Sequence, residues 1–195
     1  LSRIILASAS PRRSELLQNI GIEFIKYPAY TEEEIFPYET PEEGARRLAL
    51  NKAEYVAGSC NYDEGIIIAA DTIVVLEDKV LGKPGSAKEA YEMLAMLSGR
   101  SHQVITAVCL RDIKRGITLL ETERTKVYFR VLEEGEIWHY IRTGEPMDKA
   151  GAYGIQGLGA LFVERIEGCY FNVVGLPLYR LYLMLKQMGV NLLGG

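Results

Sequence analysis

Cysteine and histidine are scarce in this sequence, with three and two residues among 195. Cys60, Cys109 and Cys169 are far apart and odd in number, and no pair has C-x-x-C spacing. They read as free thiols of a reducing compartment, not as a disulfide framework or a thiolate metal site. His102 and His139 are too few and too scattered for a histidine metal cluster, and nothing points to a Ser-His-Asp triad. A basic excess is also missing. The chain has 22 Lys and Arg against 26 Asp and Glu, a formal net charge of -4, which argues against nucleic acid or a membrane surface as partner. Any anion site must therefore be local. No apolar run reaches the roughly 18 residues of a membrane span, and no signal-peptide pattern opens the chain, so the expected location is the cytoplasm. Repeats, low-complexity tracts and linkers are absent, and residues 1–195 read as a single domain.

The remaining pattern alternates strands and helices. Ile4–Ala7 reads as a short buried strand. Ser10 is a candidate N-cap with Pro11 at the first helical position, and Gly21 stops that helix. Residues 22–27 look like a second strand, followed by the acidic loop Thr31-Glu32-Glu33-Glu34. Thr40-Pro41-Glu42-Glu43 has the form of a capping box for a long helix to about Ala57, and Ser86-Ala87-Lys88-Glu89 that of a second box, for a helix to about Leu97. Between them residues 66–76 form an almost wholly apolar strand. Strands are expected at 103–110, 117–121, 124–131, 160–166 and 169–174. Helices are expected at 133–143 and from Pro177 to about Met188, and a glycine-rich loop at 148–159. Several strands are close enough in sequence for hairpins. A regular doubly wound parallel sheet is excluded, and a mixed sheet in an α/β fold is expected.

Four features disobey the rules of a chain built only for stability. Arg12 and Arg13 place cations in the first turn of a helix, where the macrodipole is already positive. An anion in front of them resolves the conflict. The free backbone N–H groups, the small residues Ala7 to Ser10 and the hydroxyls of Ser8 and Ser10 suit a phosphate; the alternative is a solvated arginine pair. Lys52 falls near the centre of the apolar stripe Ala45, Leu48, Ala49, Ala53 and Val56. It needs a carboxylate, a phosphate or an open cleft, or else must snorkel to the surface. Asp71 sits inside the apolar run of residues 66–76, where desolvation opposes its charge; a metal ligand or general base fits better than a turn cap. Lys83, in Gly82-Lys83-Pro84, follows soon after and could aim a cation at the same site. Finally, Gly151-Ala152-Tyr153-Gly154-Ile155-Gln156-Gly157-Leu158-Gly159 offers a backbone able to approach a ligand or take positive φ, with Gln156 its one long polar side chain. It is neither a dinucleotide fingerprint nor a P-loop. Several cations, one activated acid and no His or Cys chemistry form the inventory for metal-assisted hydrolysis of a phosphoanhydride.

These residues also match a known set in order. Leu6-Ala7-Ser8-x-Ser10-Pro11-Arg12-Arg13, Asn51-Lys52-Ala53, Ala70-Asp71-Thr72, Gly82-Lys83-Pro84, Leu97-Ser98-Gly99-x-x-His102, the run from Pro146 to Gly157 and Val174-Gly175-Leu176-Pro177 resemble the Maf family over essentially the whole chain. The resemblance implies a nucleoside triphosphate pyrophosphatase that releases a monophosphate and pyrophosphate with a divalent metal, Mg²⁺ or Mn²⁺. It implies a fold similar to inosine triphosphate pyrophosphatases: a twisted mixed sheet with flanking helices, and two lobes around a substrate cleft. By the same resemblance, Asp71 is the proton acceptor, and Lys52, Lys83 and Arg13 neutralise triphosphate charge. Ser8 and Ser10 help to hold the phosphates. Arg12, Thr72 and Gln156 set base choice, and their identities resemble the branch acting on dTTP and UTP. Glu33, with Asp71, is the implied metal carboxylate, although the family's Asp-Glu-Glu here reads Thr31-Glu32-Glu33. A homodimer is also implied. The rivals are a non-catalytic nucleotide-binding regulator of cell division and a pyrophosphatase of the 7-methyl-GTP branch.

Overall fold

The structure is a computed structural model that describes residues 3–32 and 34–194. Strand β1 (Ile4–Leu6), wholly buried, lies parallel to β2 (Ile25–Lys26) on one side. On its other side it lies parallel to β3 (Ile66–Leu76). β3 turns back through Glu77 and Asp78 into β4 (Lys79–Leu81), which pairs with it antiparallel. Glu77 takes a left-handed φ of 56° to make this turn. β5 (Ser101–Asp112), β6 (Thr118–Phe129) and β7 (Val163–Glu167) complete the sheet. The order is β2-β1-β3-β5-β6-β7, with β4 off this path on β3; β7 is antiparallel to β6. Parallel and antiparallel pairs together make the mixed sheet that the spacing of elements implies.

The helices are α1 (Pro11–Asn19), α2 (Pro41–Ser59), α3 (Ala87–Leu97), α4 (Glu134–Arg142), α5 (Tyr170–Val174) and α6 (Leu178–Gln187). The chain divides into two compact units. One comprises the chain up to Asp71, Thr106–Glu123 and the chain from Gly175 on; the other comprises Thr72–Ile105 and Arg124–Val174. In the first unit α2 buries the stripe Ala45, Leu48, Ala49, Ala53 and Val56, and α1 buries Leu16 and Leu17. The α2 cap is the expected box: Glu43 N–H donates to Thr40 Oγ1 at 3.3 Å and Thr40 N–H to Glu43 Oε2 at 2.8 Å. In the second unit the core gathers Val74 and Leu76 of β3, Leu94 and Leu97 of α3, Ile137 and Tyr140 of α4, and Phe129, Tyr153 and Phe162. α3 packs on α4 there, with Tyr91 and Trp138 stacked at 4.8 Å.

Five expectations are corrected. The strand expected at 22–27 shrinks to Ile25–Lys26. The strands expected at 117–121 and 124–131 are one strand, β6. Its charged middle is compatible with a strand because Arg180 of α6 pairs with Glu121 at 3.6 Å and Glu123 at 3.1 Å. In place of the strand expected at 169–174, rich in strand formers, Tyr170–Val174 form the helix α5, because tertiary bonds override propensity. Its buried Asn172 donates from Nδ2 to Val104 O at 3.0 Å and to Thr125 Oγ1 at 2.9 Å. The second capping box is half made. Ser86 Oγ accepts from Glu89 N, but the Glu89 carboxylate turns to Gly85 N at 2.8 Å. Last, the expected loop at 148–159 and start of a strand at 160 contain 3₁₀ turns at Glu145–Asp148, Ala150–Ala152 and Gly157–Phe162.

Candidate active site

Parallel pairing brings the first elements of the site together. Leu6 of β1 is in register with Ile68 of β3, and Ala7 N–H continues the ladder to Ile68 O at 2.8 Å. Carried two residues on, this register sets Ser8 level with Ala70, one residue before Asp71. The turn from Ser8 to Ser10 therefore leaves the carboxyl end of β1 beside the Asp71 stretch of β3, with adjacent strands about 4.8 Å apart. Carboxyl ends of parallel strands are where open α/β sheets bind ligands.

Within the turn, Ser8 is buried and its Oγ accepts from Ser10 N–H at 3.2 Å and from Arg13 Nη1 at 3.2 Å. Ser10 stands at the N-cap position, but its hydroxyl makes no cap bond. The expected serine cap is thus replaced by a turn held by Ser8. Arg13 is also a strut: its Nε donates to Gly175 O at 2.8 Å, which explains why a Val174-Gly175-Leu176-Pro177 segment accompanies the turn. Arg12 is half-buried on the same first turn.

Lys52 does not snorkel. Both Lys52 and Asp71 are only 6% exposed, and Lys52 Nζ donates to Asp71 Oδ1 at 2.6 Å. A fully apolar face of α2 would pack as well, so the pair is a charged element set into an apolar wall. The acidic loop before α2 is fastened by a residue that the sequence did not single out. Arg47 donates from Nε to Glu39 Oε1 at 2.5 Å and from Nη2 to Glu34 O at 2.8 Å, and its guanidinium lies 4.2 Å from the Phe36 ring centre. Arg47 holds the Glu39 carboxyl below its ordinary value. Glu33, the implied metal carboxylate, lies outside the described residues. Among the described residues no three His, Cys, Asp and Glu side chains converge on a point. Asp71 offers one hard carboxylate oxygen beyond the one engaged by Lys52, the type of donor of which a Mg²⁺ ion takes one or two, with water and substrate phosphate completing its shell.

Thr72, Lys83 and Gln156 belong to the second unit. Thr72 follows Asp71 on β3 and is half-buried, Lys83 is exposed, and Gln156 is half-buried. Gly151 N–H donates to Gly82 O at 3.0 Å, so the Lys83 loop and the glycine-rich segment are tied together. Gly151 has φ 70°, and a side chain there would meet Val74 at 2.9 Å. This glycine therefore serves packing rather than ligand approach. His102, in the Ser98-Gly99-x-x-His102 motif, is buried with its Nε2 2.7 Å from Tyr153 Oη. Burial depresses it to a pKa of about 4, which removes it from cation chemistry at neutral pH. Burial likewise pushes the Cys109 thiol up to about 12, leaving it inert.

The residues that sequence and geometry single out fall in a region matched throughout by one family model, described as Maf-like protein, over residues 3–188. The chain belongs to the Maf family. A relative from Syntrophomonas wolfei, named dTTP/UTP pyrophosphatase, is 57% identical over 96% of this chain and 98% of its own. A relative of the same name from Carboxydothermus hydrogenoformans is 53% identical over 96% of this chain and 99% of its own. Among solved structures, the Staphylococcus aureus Ham1 protein is similar at a TM-score of 0.46 and 17% identity, over 65% of this chain and 71% of that one. No described helix of this Maf chain is long and apolar enough to cross a membrane.

Proposed function

We infer that this chain hydrolyses dTTP and UTP to the monophosphate and pyrophosphate. The observation that carries the reading is the buried Lys52–Asp71 pair, beside the Ser8–Arg13 turn, in a chain of the Maf family. In this reading Asp71 accepts a proton from water. The water oxygen bonds to the α-phosphorus, the α–β bridging P–O bond breaks, and its electron pair leaves with pyrophosphate. The Asp71 oxygen engaged by Lys52 is Oδ1, and Oδ2 is the one assigned to water. Lys52 and Lys83 neutralise charge that grows on the leaving group. Ser8, Ser10, Arg13 and the first amides of α1 hold phosphates. Arg12, Thr72 and Gln156 select the base: thymine and uracil share an imide edge, an N–H between two carbonyls, which a glutamine amide matches with one donor and one acceptor.

Asp71 and Glu33 would hold Mg²⁺ or Mn²⁺ together with triphosphate oxygens. Bound there, the ion supplies charge neutralisation and orients the phosphates. Three free thiols among the described residues support a cytoplasmic location. The names of the relatives favour the dTTP/UTP branch over the 7-methyl-GTP branch, and the buried acid beside a lysine favours an enzyme over a non-catalytic regulator.

The test is a nucleotide panel with released pyrophosphate as readout, run with Mg²⁺ or Mn²⁺ and again with chelator. Pyrophosphate from dTTP and UTP, lost on chelation, is the expected result. No pyrophosphate from any nucleotide with metal present removes the enzyme reading, and activity confined to 7-methyl-GTP moves the chain to the other branch.

A further inference from the structure

Gln156 sits in a short loop whose two ends hang on one carboxylate. Tyr140 Oη donates to Glu145 Oε1 at 2.9 Å and accepts from Gly154 N–H at 3.2 Å. Glu145 Oε1 also accepts from Gly159 N–H at 3.1 Å, and Glu145 Oε2 accepts from Leu158 N–H at 3.1 Å. The residues before Gln156 are therefore held through the Tyr140 hydroxyl and those after it by Glu145 directly. Gly157, at φ 67°, lets the carboxylate in, since a side chain there would meet Glu145 Oε2 at 2.8 Å.

The support behind this carboxylate is buried and hydrogen-bonded. Tyr140 is buried on α4, with its ring edge-on to Phe162 at 4.9 Å. Burial, with smaller contributions from Glu145, raises the Tyr140 hydroxyl above its ordinary range, so it stays protonated and can donate. Glu145 follows α4 closely, and its own N–H donates to Thr143 Oγ1 at 3.1 Å. On the near side of the loop, Tyr153 is buried against His102, and Ala152 holds a left-handed φ of 58°. A buried non-glycine residue in that region persists only where its surroundings over-determine it.

Reading an imide edge needs such support. A glutamine side chain has several rotatable bonds, and its amide can present donor and acceptor in either order. Selection therefore requires that its backbone be fixed. We propose that Glu145, acting with Tyr140, is the positioning residue that aims Gln156 at the base edge. The proposal rests on the reading of the chain as a dTTP/UTP pyrophosphatase. The Glu145 carboxylate is engaged by Tyr140 Oη and by the N–H groups of Leu158 and Gly159, so the effect proposed for it passes through Gln156.

The experiment compares kcat/KM for UTP with that for the triphosphate of pyrimidin-2-one riboside, whose base lacks the 4-carbonyl and the N3 proton. Wild type, Glu145→Gln, Gln156→Ala and the double variant are measured with Mg²⁺ present. Glu145→Gln keeps the shape of the side chain but replaces one acceptor oxygen with a donor. It is expected to lower kcat/KM for UTP about tenfold, mainly through KM, the scale of one hydrogen bond to a charged group. The analogue, which has no imide edge to lose, stays within about twofold of wild type on the same grounds. In the Gln156→Ala background, Glu145→Gln has no further effect on the ratio. Equal losses on both substrates, an undiminished loss in the Gln156→Ala background, or no loss on UTP each overturn the proposal. If Glu145→Gln fails to fold, Tyr140→Phe, which removes only the hydroxyl between Glu145 and Gly154, is read by the same ratio. A wild-type chain that does not hydrolyse UTP overturns the functional reading and the proposal together; hydrolysis of UTP with an unchanged ratio overturns the proposal alone.

Discussion

Lys52 Nζ lies 2.6 Å from Asp71 Oδ1, and each residue is 6% exposed. One comes from the apolar stripe of α2 and the other from the apolar strand β3. Attraction between buried opposite charges roughly repays their desolvation, whereas well-packed apolar residues at both positions would stabilise the fold at least as well. The pair is therefore a poor device for stability. It becomes intelligible as chemistry, where a carboxylate must meet water and an ammonium must meet phosphate.

Asp71→Asn tests the chemical half of this argument. The amide keeps an oxygen that can accept from Lys52 but cannot take up a proton. Turnover of dTTP is expected to fall by about 10²–10⁴-fold, the scale of general-base catalysis. The folded chain should persist, with a stability loss of roughly 1–3 kcal/mol for the altered partner of a buried ammonium. Steady-state kinetics and urea denaturation on the same preparation measure both. Near-normal turnover would remove Asp71 from the mechanism.

Lys52 and Asp71 were legible in the sequence because each breaks an apolar pattern, and a pattern makes its exceptions visible. The turn at Ser8 to Arg13 was legible for the same reason, as cations at the wrong end of a helix dipole. Its inner wiring was not: nothing local indicates that Ser8, rather than Ser10, holds the turn, or that Arg13 reaches Gly175, which is 162 residues away. Glu145 and Tyr140 were silent because a carboxylate in a polar turn looks like any surface acid until the chain folds back onto it. Arg47 was silent in the same way. The mixed sheet was readable from the order of elements, but α5 was not, since Tyr170 to Val174 carry strand propensity and only the tertiary bonds of Asn172 decide otherwise.

That decision is itself testable. Asn172 is fully buried, and its Nδ2 serves Val104 O and Thr125 Oγ1. Thr125 Oγ1 in turn accepts from Cys169 N–H at 3.0 Å, just before α5. Asn172→Leu keeps the branched shape, though with more bulk, and removes the amide donor that serves Val104 O and Thr125 Oγ1. A loss of about 2–3 kcal/mol in urea denaturation is expected, the cost of stranding buried polar groups. A loss below about 0.5 kcal/mol, the usual size of a neutral surface change, would show that α5 is held by packing alone.

His102 makes stability depend on pH. Its pKa falls from an ordinary 6.5 to about 4 in the folded chain because burial penalises the imidazolium. Between these values the unfolded chain binds a proton that the folded chain refuses. The stabilisation is thus fully present above pH 6.5 and is lost as pH falls toward 4, by at most roughly 3 kcal/mol. Carboxylates also begin to titrate at the lower end, so the informative quantity is wild type minus His102→Gln. That difference should decline as the pH is lowered from 7 to 5, measured by denaturant midpoints at each pH. A difference independent of pH would mean that His102 contributes only its contact with Tyr153.

The strongest separation of stability from chemistry comes from removing both charges of the buried pair. Lys52→Met alone leaves the Asp71 carboxylate buried without its ammonium, and a cost of about 3–5 kcal/mol is expected. Asp71→Leu alone leaves the ammonium in the same position and should cost a similar amount. The double variant Lys52→Met with Asp71→Leu strands neither charge. Its stability should return to within about 1 kcal/mol of wild type or exceed it, because desolvation of both ions is relieved together. Hydrolysis of dTTP and UTP should nevertheless stay at background, since the proposed proton acceptor and a proposed phosphate cation are gone. Strict additivity of the two stability losses would show that the residues do not interact energetically, despite their 2.6 Å separation. A stable double variant that still releases pyrophosphate would place the chemistry elsewhere in the chain. Stability restored without activity would show that the fold tolerates this ion pair for the reaction and not for its own sake.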